Sequence, residues 1–194
     1  MKVSQEDIVA AAREVFRVQG YAGASMKDVA DRVGLKKASL YSRFPDKEAL
    51  VGEVLQLTLD ETFAAAEDAG DWRNVYEVIL RSMSETLMDR GRCVGLHLAY
   101  GASAEAPRLL AGVRGFFNKC RHQLAETLAA VVDPAKADQI AVDALSQIEG
   151  ATLWLALDGD RSAMQRTLNR LLAEADGLQA HHNGRARKSI RAKS

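Results

Sequence analysis

Residues 25–47 read SMKDVADRVGLKKASLYSRFPDK, and two short helical patterns flank a glycine within them. Ser25 can cap the first, with Asp28 at the third position to complete a capping box. Val29, Ala30 and Val33 supply its apolar face. Gly34 is where the chain can turn tightly, because glycine reaches positive φ without a Cβ penalty. The second helix is predicted from about Lys37 to Arg43, burying Leu40 and leading to Phe44. Two short helices joined by such a turn match a helix-turn-helix, with Ala30 small enough to let them cross closely.

The chemistry of this stretch is one-sided. Lys36 and Lys37 stand at the start of the second helix, the end that would enter a major groove. Tyr41, Ser42, Arg43 and Lys47 place hydroxyl and cationic donors around the other end. The outward side carries Lys37, Ala38, Ser39 and Ser42, a polar face that gains an ordinary hairpin little. Six basic residues (Lys27, Arg32, Lys36, Lys37, Arg43, Lys47) outnumber three acids (Asp28, Asp31, Asp46). The competing reading is a helical hairpin with a solvated basic face.

Outward from this pair, the pattern stays helical. Ser4 with Asp7 can cap a first helix whose buried stripe is Ile8, Ala11, Ala12, Val15 and Phe16, ended by Gly20. Pro45-Asp46 stops the short second helix of the pair and starts a fourth helix, buried at Leu50, Val51, Val54, Leu55 and Thr58 and linking 46 to about 65. Gly70-Asp71 opens a helix with Val75, Val78, Ile79, Met83 and Leu87, broken at Arg90-Gly91-Arg92. Residues 93–101 read as a short apolar helix, and a long one spans about 105–131. Asp133-Pro134 gives an N-cap and a first-turn proline for a helix to about Leu157. Its apolar residues, Ile140, Val142, Leu145, Ile148, Leu153, Trp154, Leu155 and Leu157, fall on more than one face. A last helix is predicted over about 162–176, on Met164, Leu168, Leu171 and Leu172. An apolar face too broad for one neighbour predicts self-association through 134–157 and 162–176, against a helix merely central to its own fold.

The fold class is therefore all-α: an N-terminal three-helix helix-turn-helix domain over 1–50, then a helical effector-binding and dimerisation domain over 66–180. Proline occurs only at Pro45, Pro107 and Pro134, so long helices can run between. The formal net charge is zero, so global charge selects no partner class. Residues 181–194 (HHNGRARKSIRAKS) carry five Lys or Arg and no acid, and predict a disordered basic tail, or an arm gripping phosphates. No signal-peptide h-region and no apolar run of membrane-spanning length are evident, which predicts a cytoplasmic chain with reduced thiols at Cys93 and Cys120 and no membrane partner. No Gly-rich phosphate loop, nucleophile elbow or HExxH is found, so the chain is not read as an enzyme, and no cofactor or metal is expected.

From Ile8 to Leu55 the chain resembles the N-terminal domain of the TetR family of transcriptional regulators. Ala11-Ala12, Val15-Phe16, Gly20-Tyr21, Ser25-Met26, Asp28-Val29-Ala30, Val33-Gly34, Leu40-Tyr41, Phe44 and Lys47-Glu48-Ala49-Leu50 carry the likeness. The resemblance implies an all-α homodimer of about nine helices that binds double-stranded operator DNA, usually represses, and is released by a small molecule. It implies DNA contacts at Ser25, Met26, Lys27, Lys36, Lys37, Ala38, Ser39, Tyr41, Ser42, Arg43 and Lys47. Ser25 would hold a phosphate, Lys37, Ala38 and Ser39 would face base edges, and Tyr41 and Lys47 would grip the backbone. Ser42 and Arg43 depart from the family pattern of a bulkier residue followed by histidine.

The effector is expected among helices 71–157, with Cys93, His97, Tyr100, Phe116, Phe117, Cys120, His122 and Trp154 as candidate lining residues; plain core packing is the competing reading for each. Cys93 and His97 lie four apart and share a helix face, but no further metal ligands accompany them. Cys93 follows Arg90 and Arg92 near a helix start, features that activate a thiol. Two alternatives to the ligand-released repressor thus stay open: a helical interaction module and a thiol-based redox or electrophile-sensing regulator.

Overall fold

The computed structural model describes residues 3–101 and 106–191, with side chains described as far as residue 182. Among them the chain is α-helical with no strand, as expected. The helices are α1 (Gln5–Gly23), α2 (Met26–Arg32), α3 (Lys37–Tyr41), α4 (Lys47–Phe63), α5 (Trp72–Arg90), α6 (Val94–Tyr100), α7 (Pro107–Leu128), α8 (Pro134–Asp158) and α9 (Ser162–Arg191), with a 3-10 turn at Ala64–Ala66.

Local punctuation sets most boundaries. Ser4 and Asp7 form a capping box on α1, and Ser25 and Asp28 form another on α2. Asp71 caps α5, while Asp133 caps α8 with proline in its first turn. Gly91 and Gly159 end α5 and α8 in the left-handed conformation. Two lengths differ from expectation. α3 stops at Tyr41 rather than Arg43, and α9 runs to Arg191 rather than about 176. The helical backbone therefore continues through most of the stretch read as a tail; residues 192–194 lie outside the described residues.

The described chain divides into two compact units. The first comprises the chain up to Glu61 together with Arg92–Lys119, and the second Thr62–Gly91 together with the chain from Cys120 onward. The first division falls inside α4, after Glu61, and α6 and the first half of α7 group with the N-terminal helices. Packing of α6 on α1 accounts for this. An added Cβ on Gly20 would stand 2.9 Å from Nε2 of His97, so the kink in α1 is the notch that receives α6. The first unit's core is Ile8, Phe16, Leu40, Leu50, Val54, Leu98 and Leu109, and two arginines are buried beside it. Arg13 holds Glu61 of α4 through both guanidinium nitrogens, at 2.5 and 3.1 Å, and Arg17 pairs with Glu14.

In the second unit α5, α8 and α9 pack on one another. α8 turns Ala137, Ala141, Ala144 and Ala151 inward, with Ile148 and Leu155. Its larger apolar groups face out: Val142, Leu153, Trp154 and Leu157 are 41–65% exposed. By length and composition α8 is apolar enough to cross a membrane, with an 18-residue window of mean hydropathy 1.2. That corrects the expectation that no such stretch exists, because averaging over the window absorbs charges that interrupt a strictly apolar run.

Candidate nucleic-acid interface

The turn between α2 and α3 is built as the sequence predicts. Gly34 has φ 70°, and Leu35 N–H donates to Ala30 C=O at 2.9 Å. Ala30 is 1% exposed, at the position where a larger side chain would push the helices apart. α3 is anchored from beneath by Leu40 and by Phe44 just after it, both buried. Everything else on this helix faces water: Lys36, Lys37, Ala38, Ser39, Tyr41 and Ser42 are exposed. The ammonium of Lys37 sits 5.5 Å from the Tyr41 ring centroid, a cation–π contact that steadies both. Ser42 Oγ donates to the Ser39 carbonyl at 2.9 Å.

The surrounding residues divide. Lys27 is exposed and paired with Asp31 at 2.5 Å, which raises its pKa. Arg43 is exposed, and its Nη1 donates to the Val3 carbonyl at 2.9 Å, tying down the chain's first described residue. Ser25 is exposed, but its hydroxyl donates to Asp28 Oδ2 at 2.6 Å and accepts from Asp28 N–H at 3.2 Å. A phosphate at Ser25 would have to compete with that capping box.

Two of the expected contact residues are placed differently from the rest. Met26 does not face outward; it is 5% exposed and belongs to the core. Lys47 is not a projecting cation. Its Nζ donates to the carbonyls of Tyr21 at 2.5 Å and Ala24 at 2.9 Å, and lies 4.0 Å from the Tyr21 ring centroid. Partial burial lowers its pKa. An ammonium has three N–H donors, so only one remains for a phosphate. Sequence reasoning also missed Arg108, which brackets the start of α4 from α7, 2.7 Å from Glu48 and 3.8 Å from Asp46. No local pattern signals such a long-range pair.

The eight expected effector-lining residues are divided between the two units. In the first unit, Cys93 caps α6, its Sγ accepting from Leu96 N–H at 3.4 Å. His97 is half-buried against Gly20, and burial, then the Arg92 charge, pulls its pKa down. Phe116 and Phe117 meet edge to face at 5.1 Å, and Phe116 closes over Gly95, where a Cβ would stand 2.8 Å away. Tyr100 is 82% exposed. In the second unit Cys120 is buried and its thiol is pushed up to about 12, chiefly by burial and then by Glu149. His122 lies on the opposite side of α7 from Cys120, exposed and 3.1 Å from Glu126. Trp154 is 48% exposed on the outer face of α8. Of the expected α5 stripe, Ile79, Met83 and Leu87 are buried, joined by Tyr76, Leu80 and Ser84, while Val75 and Val78 are only half-buried.

Residues 8–54 match the family model of bacterial regulatory proteins of the tetR family. The tetracycline repressor protein class C of Escherichia coli is 29% identical over 75 residues, covering 38% of this chain and 34% of that protein, so the chain spans about a third of its length. The transcriptional repressor KstR2 of Rhodococcus jostii is 24% identical over 187 residues, 89% of each chain. A solved TetR family regulator, a cysteine mutant of CifR complexed with 26 bp of double-strand operator DNA, superposes with a TM-score of 0.74 at 17% identity, over 89% of this chain and 97% of that one. Fold, helix-turn-helix residues and relatives thus agree: residues 8–54 match the tetR family of bacterial regulatory proteins, the chain as a whole shares the fold of TetR family regulators, and none of the relatives described is named as an enzyme.

Proposed function

We propose that the chain is a dimeric repressor that reads an operator through α3 and is released by a small molecule. The observation that carries the reading is the solvent-facing side of α3, where Lys36, Lys37, Ala38, Ser39 and Ser42 are all exposed while Leu40 alone is buried. A helix of five residues with one buried side chain gains little from packing, so its outward residues are available for base edges and phosphates. Lys36 and Lys37 make no ion pair among the described residues and keep their charge for a polyanion. Tyr41 and the third donor of Lys47 would hold the DNA backbone beside them. Dimerisation is assigned to α8 and α9, because α8 presents Val142, Leu153 and Leu157 to solvent. Acting on DNA places the protein in the cytoplasm. The thiol-sensing alternative now rests on Cys93 at the start of α6, since the buried Cys120 is held as an unreactive thiol.

The test is fluorescence anisotropy of the full chain on duplexes from the DNA flanking its own gene, at about 50 and about 200 mM salt. Binding should weaken steeply with salt. Lys36→Ala and Lys37→Ala should each lower affinity and reduce the log–log salt slope by about 1. Absence of any salt-dependent duplex binding would leave only the helical interaction module.

A further inference from the structure

The start of α4 serves two demands that conflict. A helix N-terminus favours anions, and this one has them. Asp46 caps α4, its Oδ1 accepting from Ala49 N–H at 2.7 Å, and Glu48 stands in the first turn. Lys47 lies between them, and its remaining N–H is the donor assigned to a DNA phosphate. Two carboxylates flanking one ammonium leave this corner net negative, which repels a phosphate. Arg108 of α7 removes the imbalance. Its Nε lies 2.7 Å from Glu48 Oε2 and its Nη2 3.8 Å from Asp46 Oδ2. All three charges act on one group: the pKa of the Tyr21 phenol, whose ring carries the Lys47 ammonium, is raised by burial, then by Glu48 and Asp46, and is lowered by Arg108. Arg108 is also placed against its own helix. It is the second residue of α7, where the dipole favours an anion over a cation. Choices that break a local rule are expected where function requires them. The competing reading is an ordinary surface ion pair, which adds little to stability. Two features separate this one: the Glu48 side chain is only 20% exposed, and a single guanidinium reaches both carboxylates that flank the same lysine.

We propose that Arg108 is a positioning residue for DNA binding: from α7, outside the helix-turn-helix, it neutralises Asp46 and Glu48 so that a phosphate can approach Lys47. Its guanidinium is committed to the two carboxylates, so its effect passes through them rather than through a phosphate contact of its own. The carboxylates are kept for the helix, and the cation cancels their field where the DNA backbone would lie. This role rests on the regulator reading.

Fluorescence anisotropy of the full chain on duplexes from the DNA flanking its own gene tests it, with circular dichroism to compare helicity. Arg108 is 77% exposed, so Arg108→Ala leaves the core intact. It should weaken binding by at least about threefold at about 50 mM salt, and by a smaller factor at about 200 mM, where the field is screened. Arg108→Lys keeps the charge and should keep most of the affinity. Asp46→Asn retains a capping side chain and Glu48→Gln retains the shape. Adding both to Arg108→Ala should restore binding to the parent's level or better. In the free protein, Arg108→Ala should raise the Tyr21 pKa, followed by NMR of ring-labelled tyrosine, and Asp46→Asn with Glu48→Gln should lower it. An Arg108→Ala variant that binds as the parent does, a triple variant as weak as Arg108→Ala alone, or a Tyr21 titration indifferent to Arg108 overturns the role. The weak triple variant would mark Arg108 as a direct phosphate contact. A parent protein that binds no duplex defeats the regulator reading and this role with it, whereas a parent that binds beside an equally competent Arg108→Ala variant defeats this role alone.

Discussion

At Gly20 the backbone takes φ 67° and ψ −178°, a region open essentially to glycine, and the imidazole of His97 fills the space where a side chain would begin. Gly20→Ala therefore meets two separate costs: about 1–3 kcal/mol of backbone strain, and a clash with His97. Only the second is relieved by His97→Ala. A double-mutant cycle read by urea denaturation should show the pair costing less than the sum of the singles, by about 0.5–2 kcal/mol. Strict additivity would mean the contact has no energetic weight. Cys120 makes a different prediction. Its thiol ionises near 9 when unfolded and is pushed up to about 12 in the folded chain. The folded state thus holds the proton more tightly. Its contribution is whole below pH 9 and is lost as the pH climbs from there toward 12, at up to about 1.4 kcal/mol per unit. Tyr76, raised from 10, acts in the same direction at still higher pH. The urea midpoint should fall above pH 9, and Cys120→Ala should delay that fall. A midpoint flat to pH 11 in the parent protein would show that neither group is desolvated.

At the scale of elements, α8 carries alanines where a buried helix usually carries leucines, and its larger apolar groups on the other side. Close approach of α5 and α9 explains the inward alanines, since each Cβ is all the gap will hold. Ala141→Leu should therefore destabilise by about 1–3 kcal/mol through overpacking. Val142→Ala, one residue on and 41% exposed, should change the thermal stability of the dissociated chain by less than about 0.5 kcal/mol. If Ala141→Leu is silent, the inner face is looser than its zero exposure implies. The same helix shows where sequence reading reaches its limit. Its ends were legible, because Asp133, Pro134 and Gly159 act through bonds within their own turn, as do Ser4 with Asp7 and Ser25 with Asp28. Its rotation was not, because which stripe lies inward is decided by partners far along the chain. The edge of the α5 stripe differs for the same reason: Ile79, Met83 and Leu87 are buried as expected, but Val75 and Val78 outrank Tyr76 on hydropathy and Tyr76 is the residue buried. In the candidate interface the exposed run Lys36–Ser39 was readable from its polarity and position. The burial of Met26 and the carbonyl contacts of Lys47 were not, since the core under Met26 and the carbonyls of Tyr21 and Ala24 become neighbours only on folding.

For the whole molecule, recognition by a five-residue helix is weak unless two copies act together. One α3 offers Lys36, Lys37, Ser39 and a few neighbours, too few contacts for the affinity a specific site requires. Linking two such heads turns the second contact into an intramolecular one and can raise affinity by about 10²–10⁴ without any new residue touching DNA. The outward face of α8 is where that link is assigned, so the two halves of the reading can be separated by substitution. Leu153→Arg with Leu157→Glu places charge at two positions that are 53% and 65% exposed in the single chain, where neither disturbs its core. The double variant should sediment as a folded monomer with unchanged helicity. On a flanking duplex that the parent protein binds, its affinity should drop at least a hundredfold, and its log–log salt slope should fall to about half, because one head meets half the phosphates. A variant that stays dimeric would move the interface elsewhere. One that is monomeric yet keeps full affinity and slope would show that a single head suffices, and that the exposed apolar face of α8 serves something other than DNA binding.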